Sequence, residues 1–381
     1  MKKLKLMTIL GTRPEIIRLS EVIRCCDCYF EQILVHTGQN YDYELNRIFF
    51  EDFGLRLPDY YLNVVGDNLG ATIGNIIAKS YALMAELQPD AVLVLGDTNS
   101  CLSVIAAKRL HIPIFHMEAG NRCFDECLPE ECNRRIVDVT ADVNLCYSEH
   151  ARRYLHTAGL PKERVFVTGS PMAEVLRTNL HKIDASTILS ELHLKKRGYI
   201  LLSAHREENI DTLENFSSLM EAINTVAARY DMPVLYSCHP RSRKFIEKRD
   251  FHFDSRVISH RPLGFHDYNH LQQNAFTVIS DSGTLPEEAS FFLSIGRPFP
   301  AVCIRTSTER PEAMERGCFL LAGIHTEQVL QAIDAAVKLC ENRAHGTPVP
   351  DYTDENVSVK VVSIIQSYTG IVNKMVWRKR D

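Results

Sequence analysis

Leu6-Met7-Thr8-Ile9-Leu10-Gly11-Thr12-Arg13-Pro14-Glu15, residues 6–15, is a mostly apolar run that ends at Gly11, with Pro14 three positions on. The run lacks clean alternation of apolar and polar residues, which is the pattern of a strand covered on both faces. Pro14 suits a first helical turn, where its missing N–H costs nothing. The stretch therefore reads as strand, turn and helix, the opening unit of a parallel α/β sheet. Arg13 falls beside the helix N-terminus, where unpaired N–H groups favour anions. The turn is not GxGxxG, so the dinucleotide fingerprint is missing. A lone arginine in a turn also has a plain structural reading.

The same unit recurs along the chain. Strand candidates are 6–10, 32–37, 91–95, 114–117, 143–146 and 165–168, then 199–203, 234–237, 257–259, 277–280 and 301–304. Most are short apolar runs that predict strands buried on both faces. Amphipathic stretches lie between them, for example Thr72–Glu86, Asn99–Leu110 and Leu213–Tyr230. Alternation of strand and helix predicts parallel sheets with right-handed crossovers. The series breaks between about Pro171 and Arg197, where the sequence is charged and helical. The expected organisation is α/β, with two Rossmann-like doubly wound domains. The first comprises residues 1–172 plus a C-terminal helix, 366–381, and the second residues 173–365. The last helix, about Val357–Trp377, is long enough to pass from the second domain back onto the first. Two such domains would place their loops around one cleft.

Composition excludes several functions. The 381 residues are 45% hydrophobic and 24% charged, with a formal net charge of −5, so no basic face advertises nucleic acid. The basic runs Lys195–Arg197 and Arg378–Arg380 are short and read as solvated surface. No apolar run approaches the roughly 18 residues of a membrane span, and residues 1–10 read as a strand rather than a signal peptide. A cytoplasmic protein with no membrane insertion is expected. There are twelve cysteines. Cys25 and Cys28 form one CxxC at the expected end of a helix, without a second pair. Cys123, Cys127 and Cys132 cluster near the candidate site. Structural zinc needs four ligands at fixed spacing, so reduced thiols and no metal are expected.

The loops after the strands carry the chemistry. Gly96-Asp97-Thr98-Asn99 follows the third run, His116-Met117-Glu118-Ala119-Gly120 the fourth, and Pro129-Glu130-Glu131 opens a helix. Acids in a first helical turn are ordinary dipole partners. That explains one of Glu130 and Glu131, and an N-cap role would explain Asp97. Neither explains Glu118 at the end of a buried strand, and three carboxylates from three loops suggest acid–base chemistry. In the second half, Ala204-His205-Arg206 follows the run 199–203, and Cys238-His239-Pro240-Arg241 follows 234–237. His205 suits a general acid, a base or a phosphate donor, although His205 and Glu208 could also be a surface pair. Asp281-Ser282-Gly283-Thr284 and the helix start after it suit a phosphate cradle of backbone N–H groups. Arg310 can meet a phosphate or close onto the other domain. Together these features fit a phosphorylated sugar.

GTRPE (11–15), GDT (96–98), HxEAG (116–120), PEExNRR (129–135), HR (205–206), SDSG (280–283), EEA (287–289) and TERPEA (308–313) occur in this order. The chain resembles the non-hydrolysing UDP-N-acetylglucosamine 2-epimerase family over nearly its whole length. The resemblance implies a GT-B architecture, a homodimer, a UDP-sugar substrate, and neither cofactor nor metal. It implies anti elimination of UDP to a 2-acetamidoglycal, followed by re-addition with carbon 2 reprotonated on the other face. The matching catalytic positions are Asp97, Glu118, Glu130 and His205. Arg13, Arg18, His239, Ser282, Gly283, Thr284, Glu288 and Arg310 match UDP-binding positions, with Glu288 on the ribose.

Departures from the parent pattern point to one branch. They are Ser282-Gly283-Thr284, AHREEN at 204–209, His239-Pro240-Arg241-Ser242-Arg243, and the short NRCFDECL at 121–128. HTGQNYDYEL at 36–45 and NVSVKVVSIIQSY at 356–368 are further departures. They resemble the branch that converts UDP-2-acetamido-2,6-dideoxy-L-talose to UDP-N-acetyl-L-fucosamine for capsule or O-antigen. Phe124, Cys123 and Cys127 would suit a methyl at carbon 6, or they merely pack beneath the loop. The alternatives are the parent activity, giving UDP-N-acetylmannosamine, a GT-B glycosyltransferase, a hydrolysing epimerase and a non-catalytic UDP-sugar sensor.

Overall fold

The computed structural model describes residues 2–38, 49–126 and 128–379. Cys127, most of the 36–45 motif and Arg380 lie outside these, as do the side chains of Glu207 and Glu208. Two compact units are present: Met1–Val175 with Asp354–Asp381, and Leu176–Thr353.

The first unit holds a seven-stranded sheet. Its strands are β1 (Lys5–Leu10), β2 (Glu31–His36), β3 (Tyr60–Tyr61), β4 (Ala91–Leu95), β5 (Ile114–Met117), β6 (Val143–Cys146) and β7 (Val165–Val167). They run in the order β3-β2-β1-β4-β5-β6-β7, and every pairing is parallel. The second unit holds β8 (Ile200–Ser203), β9 (Val234–Ser237), β10 (Val257–His260), β11 (Thr277–Ser280), β12 (Ala301–Cys303) and β13 (Leu320–Leu321). Their order is β10-β9-β8-β11-β12-β13, again all parallel. Strand order reverses between β1 and β4 and between β8 and β11, and such reversals open a crevice at the carboxyl ends of the strands.

The central strands β4, β5, β6 and β11 are buried throughout. Three edge strands depart from that expectation. β10 keeps Ile258 exposed and no position fully buried, because it has a neighbour on one side only. β3 and β13 are two-residue strands, too short to show as apolar runs.

The helix Arg13–Tyr29 buries Ile16, Leu19, Val22, Ile23 and Cys26. Their i, i+3, i+4 spacing turns one stripe inward. Cys25 and Cys28 fall in its last turns. The C-terminal helix Val357–Met375 packs against this helix and buries Val357, Val361, Val362, Ile365 and Val372. Its start is fastened by the Ser358 N–H and hydroxyl, which donate to Glu174 at 2.8 and 2.5 Å. Among the described residues no helix is long and apolar enough to cross a membrane.

Trp377, the sole tryptophan, latches the end of this helix. Its indole stacks on His111 at 4.4 Å and lies 5.0 Å from the Lys108 ammonium. Ring stacking and a cation–π contact are each worth about 1 kcal/mol. Trp377→Ala should therefore lower the unfolding free energy by about 1–3 kcal/mol, measured by urea titration with far-UV circular dichroism. An unchanged midpoint would show that the latch contributes nothing.

Candidate active site

In the first unit the loops after β1, β4 and β5 emerge at the same sheet end. The β4–β5 register sets Leu95 opposite Met117, so Gly96 and Glu118 follow side by side. Glu118 has φ +62°, in the left-handed region. A non-glycine residue held there is strained, and such strain gathers at functional sites. Its carboxylate accepts a hydrogen bond from Arg18 Nη1 at 2.5 Å and one from Asn121 Nδ2 at 3.4 Å. Gly120, at φ +81°, must be glycine, because a Cβ there would lie 2.5 Å from the Ala151 carbonyl. Asp97 pairs with Arg134, and Asn133 Nδ2 donates to the Asp97 carbonyl at 3.0 Å. The structure thus brings Asp97, Glu118 and Arg18 together and adds Arg134. The NRR motif contained Arg134, but sequence alone gave it no partner.

Behind this row lies a second one. His116 Nε2 meets the Gly96 carbonyl at 2.8 Å, and its Nδ1 is 3.2 Å from Asp138. Asp138 also accepts the Gly120 N–H at 3.1 Å and pairs with Arg122 at 2.6 Å. Burial pushes the Asp138 carboxyl up, but His116 and Arg122 together hold it below the usual value.

The neighbouring acids Glu130 and Glu131 separate cleanly. The helix Pro129–Thr140 buries Glu131, whose carboxylate accepts from the Cys123 N–H at 3.2 Å and Arg135 Nε at 3.0 Å. Half-buried Glu130 makes no hydrogen bond or ion pair among the described residues. Arg13 starts its helix with the guanidinium 4.7 Å from the Phe49 ring.

In the second unit the loops after β8 and β11 face each other across the strand-order reversal. Asp281 is fully buried and joins them. Its Oδ2 accepts the N–H groups of His205 and Arg206, each at 2.8 Å, and Asn209 Nδ2 at 3.2 Å. Its Oδ1 lies 3.1 Å from His205 Nδ1. Burial pushes the Asp281 carboxyl up, yet His205 and the two N–H groups outweigh it and hold it down at about 2. The His205 and His239 ring centroids are 5.7 Å apart. His239 caps the helix Pro240–Lys248, its Nδ1 accepting the Arg241 N–H.

Ser282, Gly283 and Thr284 lead into the helix Leu285–Ser294. The Ser282 and Thr284 hydroxyls are 2.9 Å apart. Arg206 Nη2 lies over Gly283, 3.3 Å from where a Cβ would sit. An arginine above a helix N-terminus is an anion site. Sequence reasoning placed Asp281 in the cradle and gave Arg206 no role. Further from the cradle, Glu288 accepts from Gln272 Nε2 at 2.8 Å. Arg310 is 2% exposed and pairs with Glu287 at 2.7 Å, so its guanidinium lies within the second unit.

This arrangement defines a class: two Rossmann-like units, one rich in carboxylates and one with a Ser-Gly-Thr turn and an arginine at a helix start. Residues 26–366 match the model of the UDP-N-acetylglucosamine 2-epimerase family. The UDP-N-acetylglucosamine 2-epimerase of Rickettsia bellii is 46% identical with a TM-score of 0.91, covering 99% of this chain and 100% of that one. The Methanocaldococcus jannaschii UDP-GlcNAc 2-epimerase in complex with UDP-GlcNAc and UDP is 29% identical with a TM-score of 0.86, over 95% of this chain and 99% of that one. UDP-2,3-diacetamido-2,3-dideoxy-D-glucuronate 2-epimerase of Pseudomonas aeruginosa is 33% identical over 86% of this chain and 91% of its own length. The chain belongs to the UDP-N-acetylglucosamine 2-epimerase family. It is an isomerase of GT-B class, a UDP-sugar 2-epimerase.

Proposed function

We propose that this enzyme inverts carbon 2 of a UDP-linked 2-acetamido sugar by eliminating and re-adding UDP. The observation that carries the reading is the carboxyl set of the first unit. Asp97 and Glu118 are fixed by arginines, whereas Glu130 keeps an uncommitted carboxyl. In elimination a carboxylate takes the carbon 2 proton, the C1–O bond breaks, and its electron pair leaves with UDP. A carbon–carbon double bond remains between carbons 1 and 2. The carbon 2 proton is not acidic, so departure of the diphosphate runs ahead and the fixed carboxylates stabilise the positive sugar. In return, carbon 2 takes a proton on the opposite face and UDP oxygen rejoins carbon 1. His205, His239, the Ser282-Gly283-Thr284 cradle, Arg13 and Arg18 hold the diphosphate. Glu288 holds the ribose and Arg310 supports the UDP-binding side.

The substrate we favour is UDP-2-acetamido-2,6-dideoxy-L-talose, converted to UDP-N-acetyl-L-fucosamine for a capsule or O-antigen. Supporting this, Phe124 stands 64% exposed, edge-on to Tyr154 at 5.4 Å, an apolar surface suited to a methyl at carbon 6. The names of the 46% and 29% identical relatives favour a second reading, UDP-N-acetylglucosamine to UDP-N-acetylmannosamine. The enzyme works in the cytoplasm as a homodimer in this proposal. Exposed Tyr81, Ile136 and Val139 on the first unit support the dimer.

Incubation in deuterated water without an acceptor tests the reading. The product should be a second UDP-sugar carrying deuterium at carbon 2, seen by nuclear magnetic resonance. Free sugar would indicate a hydrolase, and no reaction a transferase or sensor. Turnover of the 6-deoxy-L-talose nucleotide should exceed that of UDP-N-acetylglucosamine by at least about tenfold. Equal or better turnover of the latter would select the second reading.

A further inference from the structure

Each sheet carries a buried carboxylate where its strand order reverses. In the second unit Asp281, after β11, reaches the loop after β8. In the first, Glu15, just after β1, reaches the turn after β4. Glu15 is 1% exposed. Its Oε2 accepts the Gly11 N–H at 3.0 Å and the Thr12 hydroxyl at 2.8 Å. Its Oε1 accepts the Ser100 hydroxyl at 2.5 Å. The Ser100 oxygen is in turn 2.5 Å from Thr98 Oγ1. One carboxyl therefore grips the two residues before Arg13 and, through Ser100, the residue after Asp97.

We infer that Glu15 is a positioning residue whose carboxylate locks the Arg13 loop to the Asp97 loop. The anion-holding and proton-handling groups of the first unit then keep one geometry. The inference rests on the epimerase reading for what those groups do, but the lock itself is independent of it.

Three donors converge on Glu15, and a carboxylate is the side chain that accepts from all of them. The Gly11 N–H cannot reverse. If Glu15 takes a proton, either the Thr12 hydroxyl or the Ser100–Thr98 hydroxyl chain must turn round to receive it. Burial pushes the Glu15 carboxyl up to about 7, against the pull of Ser100, Thr12, Gly11 and Thr98. Its folded value thus lies above the ordinary 4.5. The folded state binds the extra proton between those values, so the ionised form costs stability as pH rises from about 4.5 to 7. A buried charge kept at a cost to folding points to function, since stability and activity trade off at such sites. Facing it, Cys101 on the turn after β4 has its thiol pushed far up by burial and by the charges of Glu15 and Asp97. Arg13 and Arg18 share its own helix.

The test uses the full chain with Glu15→Gln. At pH 8 the variant should melt at or above the wild-type temperature while kcat falls at least about tenfold, as misplaced catalytic groups do. The wild-type fall in kcat as pH drops through about 7 should be missing from the variant. Ser100→Ala, which removes one donor and keeps the charge, should lower kcat by a smaller factor at full melting temperature. Wild-type kcat, KM and pH profile in Glu15→Gln would overturn the inference. So would loss of folding in Glu15→Gln together with unaltered activity in Ser100→Ala. UDP affinity by calorimetry separates this from the reaction. If the wild type epimerises no UDP-sugar, the proposed function fails. Weaker UDP binding by Glu15→Gln would then still support the lock, and unchanged binding would overturn it.

Discussion

Glu130→Gln should lower turnover at least about a hundredfold, the usual scale for a general acid or base, while leaving the melting temperature within about a degree. The contrast follows from its surroundings. Glu130 has no hydrogen bond or ion pair to lose among the described residues, and surface changes of this kind usually stay within about 0.5 kcal/mol. The adjacent Glu131→Gln should behave oppositely. Glu131 is buried and is met by the Cys123 N–H and by Arg135, so an amide there presents a donor to donors. It should cost about 1–3 kcal/mol of stability, with activity following the folded fraction. Glu118→Gln lies between the two. It should match the hundredfold loss, and it should also lose stability because Arg18 stays buried without its charge partner. Initial rates and thermal melts on the three variants decide the matter. Near-normal turnover in both Glu118→Gln and Glu130→Gln would remove these acids from the mechanism.

Most of the loops to which the proposal assigns this chemistry could be read in the sequence because they sit just after a short apolar run. In a parallel sheet that position is the carboxyl edge of a strand. Leu6–Leu10 followed by Gly11, and Ile114–Met117 followed by Glu118, needed no more than that rule. Partnerships were the part that could not be read. Ser100 lies 85 residues from Glu15, and the His205 N–H lies 76 from Asp281. Periodicity speaks only of near neighbours, so in the sequence Asp281 reads as part of a phosphate cradle and Glu15 has no partner. Arg310 shows the same limit from the other side. Its sequence setting suggests a cation that meets a phosphate or closes onto the other domain, whereas Glu287, 23 residues away, pairs with it in the interior. The strained φ of Glu118 had no sequence signal at all, since strain becomes visible only where the backbone is fixed by its neighbours.

Asp281→Asn should lower turnover at least about a hundredfold and remove an acid-sensitive part of the stability. Asp281 Oδ2 accepts two backbone N–H groups and Oδ1 faces His205 Nδ1. With a carboxylate there, Nδ1 carries the proton and Nε2 remains for the diphosphate, as acceptor or, once protonated, as donor. An asparagine must keep its oxygen on the two N–H groups, so its NH2 points at Nδ1. That forces the proton onto Nε2 in the neutral ring and opposes formation of the cation that would neutralise departing UDP. The stability effect has a definite sign. The folded carboxyl titrates at about 2, below the ordinary 3.8. Its contribution is fully present above about pH 4 and fades as pH falls towards 2. A shift of this size corresponds to about 2 kcal/mol. Urea unfolding of the wild type and the variant should therefore differ by about that amount at pH 7, and the difference should shrink below pH 4. A pH-independent difference would assign the loss to packing. Unchanged turnover would show that Asp281 orients the loop after β8 without setting the protonation of His205.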